Sequence, residues 1–84
     1  MKGRRVYADE DGSLRLAEGD YGYNEKTNCW QVRPPGCHAG STPHHTVKQF
    51  EDGTITVSPS IVLEDGERKW HGHLERGVWR EVRQ

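Results

Sequence analysis

The residues Asp52-Gly53-Thr54-Ile55-Thr56-Val57-Ser58-Pro59-Ser60-Ile61 hold a turn, a strand and a break in immediate succession. Asp-Gly is a preferred turn pair, because glycine tolerates positive φ and an aspartate side chain can accept from its own backbone. Thr54, Ile55, Thr56 and Val57 are strand formers in strict alternation, so Ile55 and Val57 fall on one face and Thr54, Thr56 and Ser58 on the other. Pro59 lacks a backbone donor, so the strand must end there, bulge there or lie at a sheet edge. Upstream, Thr46-Val47-Lys48-Gln49-Phe50 has strand composition too. Residues 45–58 therefore read as a β-hairpin about Glu51-Asp52-Gly53. The competing reading is a short helix over 46–51 with Val47 and Phe50 inward.

Working toward the C-terminus, Ile61-Val62-Leu63 continues the strand and Glu64-Asp65-Gly66 turns it. A second hairpin follows: Lys69-Trp70-His71-Gly72-His73-Leu74, a turn at Glu75-Arg76-Gly77, then Val78-Trp79-Arg80-Glu81-Val82. In it Trp70, Gly72 and Leu74 share one face and His71 and His73 the other, while Val78, Arg80 and Val82 alternate with Trp79, Glu81 and Arg83. Toward the N-terminus, Arg4–Ala8 and Ser13–Ala17 read as strands about a turn at Asp9-Glu10-Asp11-Gly12. Residues 18–28, glycine-rich and polar, read as a loop carrying Tyr21 and Tyr23. Cys29–Arg33 is a further strand, closed by Pro34-Pro35-Gly36, and residues 34–45 are irregular. Nowhere does a capping residue precede a 3.6-residue period. The expectation is one small all-β domain over residues 1–84, an antiparallel sheet built of β-hairpins with little or no helix.

Composition narrows the possible functions. Only 31% of the 84 residues are apolar without counting the ten glycines, and the mean hydropathy is -1.02, against an apolar share of about 45–50% in a typical composition that also counts glycine. Three Trp, three Tyr and charges of both signs nevertheless argue for order. A domain with so weak a core often relies on a partner subunit, a metal or a disulfide for its last stability, which makes a homodimer an expectation. Twelve basic against thirteen acidic residues leave a net charge of -1, which disfavours binding nucleic acid without base specificity. Lys2, Arg4, Arg5, Arg80 and Arg83 could still form a local basic patch. No apolar run is long enough for a membrane span, and Met1-Lys2-Gly3-Arg4-Arg5 lacks the apolar segment of a signal peptide. The expected location is the cytoplasm, with Cys29 and Cys37 as reduced thiols.

Two constellations could carry chemistry. His71 and His73, two apart on a strand, project from one face and could share a metal ion, with Cys37 as a third ligand and His38, His44 or His45 nearby in sequence. Sulfur with imidazole favours zinc. Against this stands the absence of a Cys-x-x-Cys or a His-x3–5-His spacing, and the alternative is a solvated strand face. Ser58 and Ser60 have no nucleophile-elbow context around them and more simply terminate a strand. The aromatic residues Tyr21, Tyr23, Trp30, Trp70 and Trp79 can build the core, each burying a large area. Alternatively Trp79 with Arg80, and Tyr21 with Tyr23, could stack on a planar ligand.

Three motifs in order, Trp30-Gln31-Val32-Arg33-Pro34-Pro35-Gly36-Cys37, then Glu51-Asp52-Gly53-Thr54-Ile55-Thr56-Val57-Ser58-Pro59-Ser60-Ile61, then Trp70-His71-Gly72-His73-Leu74-Glu75-Arg76-Gly77-Val78-Trp79, resemble a family of small proteins found mainly in phages and prophages of actinobacteria. The likeness runs from Trp30 to Val82. It implies a viral origin and a compact fold, and no particular activity. Thr-x-Ser-Pro-Ser-Ile is also similar to a wider set of phage proteins, some with a Cys-Pro-x-Cys-like pair and a Cys-His pair. Here those positions read Pro34 or Pro35 and Trp70-His71, which leaves Cys37 and His71 as the implied ligands. The function expected is that of an accessory or host-takeover protein in the infected cell, binding a host protein or a small ligand such as a signalling nucleotide. A zinc-supported module or metal-dependent hydrolase centred on His71, His73 and Cys37 is the alternative, and a nucleic-acid-binding factor a further one.

Overall fold

The computed structural model describes residues 1–66 and 68–82. Eight strands follow in chain order: β1 (Arg4–Arg5), β2 (Asp20–Asn24), β3 (Cys29–Val32), β4 (Gly40–Ser41), β5 (Thr46–Gln49), β6 (Ile55–Asp65), β7 (Arg68–Glu75) and β8 (Val78–Glu81). They make two four-stranded sheets, β1-β2-β3-β4 and β5-β6-β7-β8. Within each sheet sequence neighbours pair, antiparallel except for the parallel β1–β2 contact. No helix occurs among the described residues. The protein is a small all-β domain.

The hairpin about Glu51-Asp52-Gly53 forms as the sequence requires. Val47 faces Val57 and Gln49 faces Ile55, and Gly53 takes the positive φ of 88° that only glycine adopts without strain. Asp52 Oδ1 accepts from the Thr54 backbone N–H at 3.0 Å and from its hydroxyl at 2.6 Å. Those two bonds hold the Asp52 carboxyl below the ordinary aspartate range. Pro59 takes the bulge option. The Ser58-Pro59 peptide is cis, and the β6–β7 register shifts between Val57, opposite Leu74, and Ile61, opposite Gly72. Beyond the bulge the strand resumes and runs to Asp65.

The second hairpin follows the predicted alternation. Trp70, Gly72 and Leu74 are buried while His71 and His73 are half-buried. Trp79 is buried between exposed Val78 and Arg80. The core lies between the sheets. The second sheet supplies Ile55, Val57, Ile61, Trp70, Leu74 and Trp79, and the first supplies Tyr21 and Val32, with Cys37 from the loop after β3. The two indoles meet edge to face, centroids 5.5 Å apart at 85°, an arrangement the ring quadrupoles favour.

Four expectations in the N-terminal half need correction. The strand expected over Arg4–Ala8 ends at Arg5 and pairs in parallel with β2, and the stretch 34–45, expected to be irregular, holds β4. Residues 20–24, expected as loop, form β2 and pair with β3, Tyr23 opposite Trp30 and Tyr21 opposite Val32. Glycine and polar residues disguised an alternating Tyr-Gly-Tyr strand. Gly22 leaves no room for a side chain, because an added Cβ would strike the Val6 carbonyl oxygen and come within 2.9 Å of Leu14 Cδ1. Ser13–Ala17, expected as a strand, is irregular. Its backbone is satisfied by other means: Asp9 N–H donates to the Ser13 carbonyl, Arg33 Nη1 to the Leu16 carbonyl, and Ala17 N–H to Asp20 Oδ2. Asp20 itself, 4% exposed, also accepts from Arg4 Nη2 at 2.9 Å. Arg33 Nε donates to the Cys37 carbonyl at 2.7 Å, so one guanidinium clips both long loops to the first sheet.

The first three residues close the other end. Trp79 N–H donates to the Met1 carbonyl and Gly3 N–H to the Gly77 carbonyl, which covers the edge of β8. There an added Cβ on Gly3 would come within 2.8 Å of Trp79 Nε1.

Candidate ligand-binding cleft

The least ordinary group of side chains lies on the first sheet around Arg5. Arg5 and Tyr7 are two apart in extended chain, so they project from the same side. Tyr23 and Trp30 are a cross-strand pair of β2 and β3, ring centroids 5.4 Å apart at 67°. The Arg5 guanidinium carbon sits 4.7 Å from the centroid of Tyr7 and 4.7 Å from that of Trp30. Both distances fall within cation–π range. Arg5 Nη1 also donates to the Gly53 carbonyl at 3.0 Å, tying the first sheet to the β5–β6 turn, while Nε is buried without a hydrogen-bond partner.

A cleft of about 360 Å³ opens here, lined by Arg5, Tyr7, Asp9, Glu10, Gly12, Tyr23 and Glu25 among others. A second, also about 360 Å³, is lined by Arg5, Tyr23, Trp30 and Gln49. They share Arg5 and Tyr23, so the two form one groove. Asp9 carries Arg15 at 3.9 Å, a distant and exposed pairing. A related contact occurs on the second sheet, where Arg76 lies 4.3 Å and Lys48 5.4 Å from the Phe50 ring centroid.

Of the residues singled out for ligand binding, Tyr21 and Trp79 belong to the core, at 1% and 3% exposure. Trp79 Nε1 donates to the Gly19 carbonyl at 2.8 Å, and burial pushes the Tyr21 phenol above its ordinary pKa. Neither can stack on a ligand without opening the sheets. Arg80 points away from Trp79, beside Glu75 at 3.8 Å, so the two do not form a pocket. Tyr23 alone reaches the groove. Arg5, Tyr7 and Trp30 join it there, and the signal for the first two was in the sequence as an Arg-x-Tyr alternation.

The expected metal ligands are not brought together. Cys37 lies in the core with Trp70 and Leu74, on the face of β7 opposite to His71 and His73. Cys29 and Cys37 are thiols, not a disulfide. Among the described residues no three His, Cys, Asp or Glu side chains converge on a position that could hold a metal ion. His71 Nε2 instead lies 2.9 Å from Ser60 Oγ, and His45 Nε2 donates to the Ser60 carbonyl at 3.1 Å. The two imidazoles fasten the bulged part of β6, where the ladder is interrupted. The basic patch is likewise dispersed: Arg4 is paired with Asp20, Arg5 lies between rings, and Arg80 stands beside Glu75. Arg83 lies outside the described residues.

No helix among the described residues is long and apolar enough to cross a membrane. Compared with protein-family models, with curated proteins and with solved structures, the chain matches none.

Proposed function

We propose that the protein is a phage-encoded accessory protein that acts by binding, with the Arg5–Tyr7–Tyr23–Trp30 groove as its recognition surface. The observation that carries this reading is the exposure of Tyr7, 69%, beside a guanidinium already stacked on it. A large aromatic ring left in water next to a cleft has no role in the core, whereas rings of this kind anchor interfaces. The phage origin rests on the three motifs between Trp30 and Val82, and the host cytoplasm as its place of action rests on that origin. Of the two expected classes of partner, a host protein suits the open groove better than an enclosed small ligand does, because ligand pockets bury most of their occupant.

Immobilised wild-type protein and its Tyr7→Ala variant, each exposed to lysate of a host bacterium, provide the test. A protein retained by wild type and lost from the variant supports the groove as recognition surface. Identical retention by both would remove the groove from the function.

A further inference from the structure

Resting on the reading of the groove as a recognition surface, we infer that the partner docks as an extended protein segment that adds a strand to the open edge of β5, with an acidic residue between two apolar ones. Four strands stand at sheet edges: β1, β4, β5 and β8. β1 and β4 have two residues each, and β8 is covered by Met1–Gly3. β5, four residues long with Thr46, Lys48 and Gln49 exposed, is the longest uncovered edge among the described residues. The ladder fixes which of its groups face outward. Phe50 N–H donates to the Thr54 carbonyl at 2.9 Å, and the register continues through Lys48 opposite Thr56 and Thr46 opposite Ser58. Bonded and non-bonded pairs alternate in an antiparallel ladder, so Lys48 and Thr46 bond to β6 while the N–H and C=O of Val47 and Gln49 point away from it. Those four groups have no partner among the described residues. Two donors and two acceptors spaced along a strand match another extended backbone.

The side chains beside this edge say what the segment carries. Tyr23 and Trp30 lie two residues along from Tyr21 and Val32, so all four side chains are on the core-facing side of the first sheet. Tyr21 and Val32 are buried, whereas Tyr23 and Trp30 are half-buried. Val47 and Gln49, opposite the buried Val57 and Ile55, face the same interior, and Gln49 meets Tyr23, Trp30 and Arg5 in one groove. The second sheet thus ends at β5 beside two rings that it does not fully cover. A strand added there would lay alternate side chains toward those rings, where apolar groups gain by burial. The side chain between them would stand on the outer face, opposite Lys48. That position selects the partner. A second copy, paired antiparallel so as to use all four free groups, would set Val47 against Gln49 and Lys48 against Lys48, with like charges directly opposite. A foreign segment with an acidic residue there meets Lys48 with the opposite charge.

The test is a titration of the isotopically labelled full chain with acetylated and amidated Thr-Phe-Glu-Val-Thr at millimolar concentration, followed by amide shifts and hydrogen exchange. In the free chain the amides of Val47 and Gln49 are expected to exchange fast and that of Lys48 slowly. The peptide should slow the first two and shift the Trp30 indole. N-methylation of the peptide's Phe and Val, whose N–H groups would face Gln49 and Val47, should weaken binding about ten-fold, the size of two net hydrogen bonds. N-methylation of its Glu, whose N–H would face away, should leave binding unchanged. Lysine in place of that Glu should weaken it about three-fold. Gln49→Pro, which removes an outward donor and no bond to β6, should lose the response while its spectrum stays dispersed. Silence toward the parent peptide, or equal loss from all three N-methylations, would overturn strand addition. Slow exchange of Val47 and Gln49 in the free chain, growing with its concentration, would overturn it in favour of a second copy on the edge. Should a host protein still be lost on Tyr7→Ala in the lysate experiment, the groove would stand as recognition surface with another mode of docking.

Discussion

Gly72 shows how a single residue settles a local arrangement. It sits in β7 opposite Glu81, and an added Cβ would strike the Arg80 carbonyl and the Trp70 ring, the latter at 2.5 Å. The missing side chain makes room for Trp70, not for a ligand. Gly72→Ala should therefore cost about 3 kcal/mol through overpacking, read as a fall in the denaturant midpoint at unchanged slope. Trp79 makes a second residue-scale case. Replacing it by Phe keeps a ring but removes the indole donor of the Gly19 carbonyl, which still accepts from the Arg4 N–H at 3.3 Å, and the expected loss is about 1 kcal/mol. A loss no larger than an exposed substitution gives would show that water replaces the indole. Asp52 supplies a pH prediction. Its folded pKa is lowered, first by the Thr54 hydroxyl and then by the Thr54 N–H. The stabilisation is thus complete above the ordinary aspartate pKa of about 4 and fades as pH falls through the lower folded value. The difference in Tm between wild type and Asp52→Asn should be constant down to about pH 5 and shrink in stronger acid; a difference independent of pH would count against the charge as its source.

At the scale of elements, legibility followed the strength of alternation. β6 and β7 carry apolar residues or glycine at alternate positions, the turns are marked by Asp-Gly or Arg-Gly, and the hairpins formed where those signals stood. β2 was hidden, because Asp-Tyr-Gly-Tyr-Asn has loop composition and only its pairing with β3 buries Tyr21. Ser13–Ala17 had the alternation of Leu14 and Leu16 but pairs with neither sheet. Its carbonyls and amides went to Arg33 and Asp20 instead. The irregular part of β6 is held by the imidazoles of His45 and His71. Chelator should accordingly leave the melting temperature unchanged, while Ser60→Ala should lower stability by about 1 kcal/mol through the lost hydroxyl partner of His71. A fall in Tm with chelator would return His71 and His73 to a metal site.

For the molecule as a whole, the two sheets share one core, with Trp70, Trp79 and Ile61 from one packed with Tyr21 and Val32 from the other. Unfolding is expected as a single transition, with tryptophan fluorescence and far-ultraviolet dichroism coinciding. Two separated transitions would mean that each sheet folds alone. The all-β class and the positions of the hairpins about Asp52-Gly53 and Arg76-Gly77 were determined by the sequence itself, because alternation and turn chemistry act between residues close along the chain. The tertiary structure alone decided which aromatic rings were free. Tyr21 and Trp79 look like Tyr7 and Trp30 on paper, but packing of the sheets buried the first pair and set Arg5 against the second. Burial and cation–π contact join residues far apart in sequence, and no local pattern records them.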